Sequence, residues 1–320
     1  MLMPLQLPSY MGTSGNASSA LAAPKGNYGD IENTGFEISL NTHPITGKFE
    51  WDSDFQISFN KNKLKGLAGT ANAQIVGYGQ WTDVVSVSSV GESLYNFYGF
   101  VCDGVYKDLE DLQTSPKPAK YPANGVFDRT NTVWVGDVKY KDINGDNIID
   151  SNDQCAIGYT REPELVFGFG GTIEYKGFDL SAYFTGAART STFFEDRTFW
   201  PFASGMGFFN VFKEIYDNRW TPETAGAAKY PVVTDGFNVQ SMRRSTVWQK
   251  DASYLRLKNL EVGYTLPKKV VSKLKINNLR VFVNGTNLYT WDKINHTIDP
   301  ESDNWYPIQR AVNFGLAVDF

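Results

Sequence analysis

The sequence predicts an all-β chain built as an antiparallel transmembrane β-barrel segment with long extracellular loops. Three observations predict it: long runs in which apolar and polar residues alternate, a 15% aromatic content, and connections that switch between short turns and long loops. Alternation is the signature of a strand with two different faces. Aromatic side chains favour pleated surfaces and interfaces over helices. Short turns on one side and long loops on the other is the arrangement of outer-membrane barrels.

The strands follow in order. Phe36, Ile38 and Leu40 alternate with Glu37, Ser39 and Asn41. Across 48–60, KFEWDSDFQISFN, the residues Phe49, Trp51, Phe55, Ile57 and Phe59 share one parity, with only Ser53 interrupting them. Glu50, Asp52, Asp54, Gln56, Ser58 and Asn60 take the other. Leu165, Phe167, Phe169, Ile173 and Tyr175 lead to a turn at Lys176 and Gly177, followed by Phe178, Leu180, Ala182 and Phe184. Leu255 and Leu257 alternate with Tyr254, Arg256 and Lys258, and Leu279, Val281 and Val283 with Arg280, Phe282 and Asn284. The last run places Val312, Phe314, Leu316, Val318 and Phe320 on one face. Phe320 has the character of a terminal aromatic assembly signal. Weaker strands near 72–90, 94–106 and 131–141 bring the expectation to about ten. A short loop helix is expected at 211–218.

The connections at 44–47, 176–177 and 267–278 are short or moderate, whereas those at 107–130, 187–250 and 290–308 are long. No apolar run approaches the length of a membrane helix. The mean hydropathy of −0.34 argues for solubility only if barrel strands, which never form such a run, are set aside. The opening MLMPLQLPSYMGTSG lacks the pattern of a signal peptide. This leaves a cytoplasmic chain, or one whose true start lies upstream. A formal net charge of −5 gives no electrostatic case for nucleic acid. Cys102 and Cys155 show no metal or redox spacing and read as two free thiols, although pairing stays open. No G-x-S-x-G, HExxH or P-loop occurs, and His43 and His296 lie far apart, so no catalytic site or organic cofactor is expected.

One stretch has the cadence of a calcium loop. In DINGDNIIDSND, 142–153, Asp142, Asn144, Asp146, Asp150 and Asp153 fall at positions 1, 3, 5, 9 and 12, with the Ile148 carbonyl at 7. Asn147 replaces the usual glycine at position 6, and Asp153 is shorter than the usual glutamate. The competing reading is a polar turn capped by its own Asp and Asn side chains. Trp200, Trp220, Trp248 and Trp305 fall in or beside the long loops. Trp200, Trp220 and Trp305 are candidate ligand or lid contacts; the alternative is an aromatic girdle at the membrane interface.

Seven ordered phrases then resemble the SusC/RagA family of TonB-linked outer-membrane proteins of Bacteroidetes. They are NYGDIENTGFE at 27–37, FYGFVCDGV at 97–105, GDVKYKDINGD at 136–146, YLRLKNLEVGYTLP at 254–267, NGTNL at 284–288, DPE at 299–301, and YP at 306–307 before the last strand. The resemblance runs from about residue 27 to 320, with 1–26 as a loop at the fragment's start. It implies the carboxy-terminal strands of a 22-stranded barrel in the cell outer membrane, a strand number known for plugged transporters. It also implies import of an oligosaccharide (glycan) or peptide substrate, a SusD-like lipoprotein partner, and contact with outer-membrane lipid. The family's signal peptide, TonB box and plug domain have no counterpart here, so TonB would act only through a missing amino-terminal part. The second hypothesis is a secreted, soluble β-rich binding module with a structural Ca2+ loop.

Overall fold

Our computed structural model describes residues 2–4, 25–27, 29–67, 74–78, 84–118, 133–194, 199–202, 210–236, 238–274, 276–294, 298–301 and 308–319. Phe320 and Trp305 lie outside the described residues. Seven strands form the main sheet: Gly29–Ile45 (β1), Phe49–Leu67 (β2), Leu165–Tyr175 (β3), Phe178–Ala188 (β4), Tyr254–Thr265 (β5), Asn278–Asp292 (β6) and Ala311–Asp319 (β7). They are hydrogen-bonded in sequence order, each antiparallel to the next. This meander is what short antiparallel connections produce.

The register turns the alternation of single strands into continuous rows. Trp51 faces Ile173, which faces Leu180, Val262, Val283 and Phe314 in turn. The row beside it runs Phe49, Tyr175, Phe178, Tyr264, Val281, Leu316. Both rows lie on one face, and that face is exposed: Phe314 is 85% and Leu316 69% accessible. The serine that interrupts it is accommodated, because Ser53 Oγ and Thr42 Oγ1 on β1 lie 2.8 Å apart and satisfy each other.

All three short connections (46–48, 176–177 and 266–277) emerge at one end of the sheet. At the β3–β4 turn, Lys176 and Gly177 both have positive φ, 50° and 88°. That is the two-residue I′ hairpin, whose twist matches the strands it joins. At Lys258 β5 slips register against both β4 and β6. There its apolar parity changes from Leu255 and Leu257 to Leu260 and Val262, and the bulge keeps both sets on the same face.

The weaker strands form, but not in this sheet. Gln74–Tyr78, Val84–Ser89, Asn96–Phe100 and Gln154–Ala156 make a separate four-stranded sheet. Cys102–Val105 pairs with Val138–Tyr140, and Ser191–Phe193 with Gln249–Asp251. The expected loop helix is present at Lys213–Asp217. These pieces form a lobe at the long-loop end, and the lobe holds the hydrophobic core. Phe100, Tyr140, Ile149, Phe193, Phe199, Met242 and Trp248 are packed together within it. The wall, by contrast, leaves its apolar face exposed, packed on nothing among the described residues.

Candidate functional site

The polar face of β1–β7 is a field of carboxylates, amides and hydroxyls with a few cations placed among them. Glu50, Glu174 and Asp179 are direct cross-strand neighbours, which by itself is repulsive. Arg280 relieves it from β6. Its Nε donates to Asp179 Oδ1 at 3.1 Å, and its Nη2 reaches Asp179 and, at 2.6 Å, Glu261. The chain of contacts continues through Asn284 Nδ2 to Glu261 (3.2 Å) and Asn313 Nδ2 to Asn284 (3.0 Å). Higher up, the Gln56 amide donates to the Tyr183 hydroxyl.

At the loop end the face meets the lobe. Arg256 on β5 is 1% exposed; its Nη2 lies 2.6 Å from Asp299 and its Nη1 3.5 Å from Glu301. Lys258 adds a 3.3 Å contact to Glu301. Two of the seven sequence phrases, YLRLKN and DPE, therefore meet in space. The DPE segment is strapped onto the wall by charge, and leaving Arg256 without it would strand a buried guanidinium. Beside the strap lies a cavity of about 360 Å³, lined by Phe193, Phe199, Tyr254, Thr190, Ile298 and Asp299 among others. Alternation placed Arg256 on the polar face, but no local signal paired it with Asp299 and Glu301, more than 40 positions away.

Within the lobe, loop 142–153 is closed by its own amides. Asp142 accepts from Gly145 and Asn147 at 2.7 and 2.8 Å, and Asp146 from Ile148 at 2.8 Å. Asp150 accepts from Asn152, while the fully buried Asp153 accepts from Ile143 and Asp150 at 2.8 and 2.9 Å. Asn144 accepts from Asp146. Asn147 adopts φ 63°, the left-handed conformation that glycine would supply. Ile149 anchors the loop in the core, and its amide donates to Lys117 O. Among the described residues, no three His, Cys, Asp or Glu side chains are grouped closely enough to hold a metal. The carboxylates are turned to the backbone instead.

The tryptophans separate. Trp200 is 6% and Trp248 1% exposed, both inside the lobe core, so neither faces a membrane interface or a ligand surface. Trp248 Nε1 donates to Ser241 O at 2.7 Å. Trp220 is half-buried, lies against Gly136, and donates from Nε1 to Lys107 O at 3.2 Å. Cys102 and Cys155 are both free thiols, and burial raises the pKa of each above the ordinary range.

No family model matches the chain. Individual relatives do. TonB-dependent receptor P26 of Formosa agariphila is 32% identical over 92% of this chain, and TonB-dependent receptor P3 of the same organism is 27% identical over all of it. TonB-dependent receptor SusC of Bacteroides thetaiotaomicron is 24% identical over 92% of the chain. This chain belongs to the SusC/RagA-like TonB-dependent receptors. It spans about a third of the length of these relatives: 30%, 29% and 27% respectively. Among solved structures, the RagAB peptide transporter superposes over 100% of the chain and 32% of its own, with a TM-score of 0.70 at 19% identity. The RagAB peptide importer in its open-open state gives 0.68 at 19%. At that identity the likeness shows the fold, that of an outer-membrane β-barrel. For a TonB-dependent receptor the location is the outer membrane, and the exposed apolar face of β1–β7 is the one that meets lipid. This sets aside the secreted soluble module.

Proposed function

We propose that this chain supplies part of the wall and the extracellular loop lobe of a TonB-driven importer of oligosaccharides or peptides, capped by a SusD-like lipoprotein. The observation that carries the reading is the continuous polar face of β1–β7, which runs from the Arg280 network to the Arg256 strap beneath the lobe. A solute passing along such a face exchanges water for carboxylates, amides and hydroxyls, never for an apolar barrier. TonB would act through parts of the receptor beyond the third that this chain spans.

The reading includes a structural calcium whose binding would draw Asp142, Asn144, Asp146, Asp150, Asp153 and the Ile148 carbonyl together from the backbone-bonded arrangement described above. The donor set is of hard oxygens, and an ionised carboxylate keeps lone pairs beyond those given to one or two amides. The ion would cancel the repulsion among the four carboxylates and stiffen the lobe. Its role is structural, with no part in moving the solute.

The test is a graft. The chain replaces the corresponding third of TonB-dependent receptor P26, and uptake of labelled oligosaccharide and labelled peptide is measured along with co-purification of a SusD-like lipoprotein. Uptake of either class, lost when TonB is removed, supports the proposal. A chimera that reaches the outer membrane yet imports neither would overturn it.

A further inference from the structure

The three short connections share a property that the rest of the chain lacks. Residues 46–48, 176–177 and 266–277 contain five described lysines, Lys48, Lys176, Lys268, Lys269 and Lys273, with Lys275 outside the described residues, and no Asp or Glu, in a chain whose net charge is −5. The meander brings all three to one end of the wall. Two interstrand spacings separate successive connections, about 10 Å. All five lysines are exposed, and among the described residues none is in an ion pair. Several lysines elsewhere are neutralised: Lys65 pairs with Glu32, Lys139 with Asp111, Lys258 with Glu301 and Lys293 with Asp251.

Directly inside this rim, on the lipid face, lies an aromatic row. Phe49, Tyr175, Phe178 and Tyr264 are in register, with ring centroids 6.3 Å apart for the first pair and 4.3 Å for the last. Lys176 Nζ sits 5.0 Å from the Tyr175 ring centre, on that same side. Rings of this kind settle at the depth of lipid headgroups. The free ammonium groups are therefore held at the level of lipid phosphates, where each cation near an anionic surface adds to binding.

We propose that the short-turn rim of this wall binds anionic phospholipid headgroups through Lys48, Lys176, Lys268, Lys269 and Lys273. The proposal rests on the outer-membrane location and is independent of what is transported.

The experiment is native mass spectrometry of the detergent-solubilised chain, titrated with phosphatidylglycerol and, separately, with phosphatidylethanolamine. Phosphatidylglycerol should bind at least tenfold tighter. Each Lys→Gln substitution should weaken it on the order of fivefold at low salt, and the five-lysine variant should show no preference. A second variant, Lys107→Gln with Lys229→Gln at the lobe end, should leave the preference intact. Equal binding of the two lipids, or a preference that survives the five-lysine variant, overturns the proposal. So does capture of an acidic periplasmic protein by the five lysines with no lipid preference. Because these side chains are exposed on turns, strand content by circular dichroism should match the unsubstituted chain. A chain extracted without detergent would instead count against its location, a different failure.

Discussion

The wall and the loop lobe solve the same problem in opposite ways. The lobe folds around a core, with Trp248, Tyr140 and Ile149 at 1–2% exposure. The wall is also rich in aromatics and aliphatics, but Phe36, Ile38, Leu40 and Phe314 stand more than half exposed. In the lobe, apolar area is removed from water by other parts of the chain. In the wall it is left for lipid, while the five inner strands are hydrogen-bonded to a neighbour on both sides. One region is specified by three-dimensional packing, the other by a period of two and a register. The two should therefore fail independently, and by different perturbations.

The sharpest break is Trp248→Ala. It removes a fully buried indole and its bond to Ser241 O, and should cost the lobe about 3–5 kcal/mol. Near-ultraviolet circular dichroism and proteolysis within the lobe should report the loss while wall strand content persists. Loss of both signals together would mean that the lobe and the wall fold as one unit. Next is Leu180→Arg, in the middle of the row from Trp51 to Phe314. A cation there should cost the wall about 2–4 kcal/mol in lipid, read by urea unfolding in vesicles. The lobe signals should not move.

Within the lobe, Asp153→Ala leaves the Ile143 and Asp150 amides without their carboxylate, for about 2 kcal/mol. Faster hydrogen exchange at those two amides is the measurement, and unchanged exchange would show that the loop is held from elsewhere. In the wall, Gly177→Ala forces an alanine to φ 88° with its Cβ 2.7 Å from Thr265 O. About 1 kcal/mol is expected, without change of register. Smallest is calcium removal. Chelator against millimolar calcium should raise protease sensitivity around 142–153 and lower the melting temperature of the lobe, while wall strands stay intact. Identical digestion patterns would leave the polar turn as the whole account of that loop.

How legible these regions were follows from the same difference. A strand facing two different media writes its structure into every second residue, so β1 to β7 could be read from one-dimensional alternation. Even the bulge at Lys258 left a trace, in the shift from Leu255 and Leu257 to Leu260 and Val262. The lobe left much less. Its short strands are three to six residues long, too few for a period to stand out. The strands near 72–106 and 131–141 were legible as strands, but not as members of other sheets. Trp200 and Trp248 were read by their place in long polar connections, and proved to be core residues.

The sequence alone determined the strands of the wall, which face of each is apolar, which ends are short, and the family through seven ordered phrases. These are local properties: alternation, turn chemistry and motif order need no knowledge of what lies across space. Only the tertiary structure decided that the long connections have a core of their own. The same holds for Arg256 gripping Asp299 and Glu301, for the loop carboxylates turning to their own amides, and for five lysines gathering on one rim. Each of these depends on contacts between residues distant in the chain, and those contacts exist only once register and packing have been fixed.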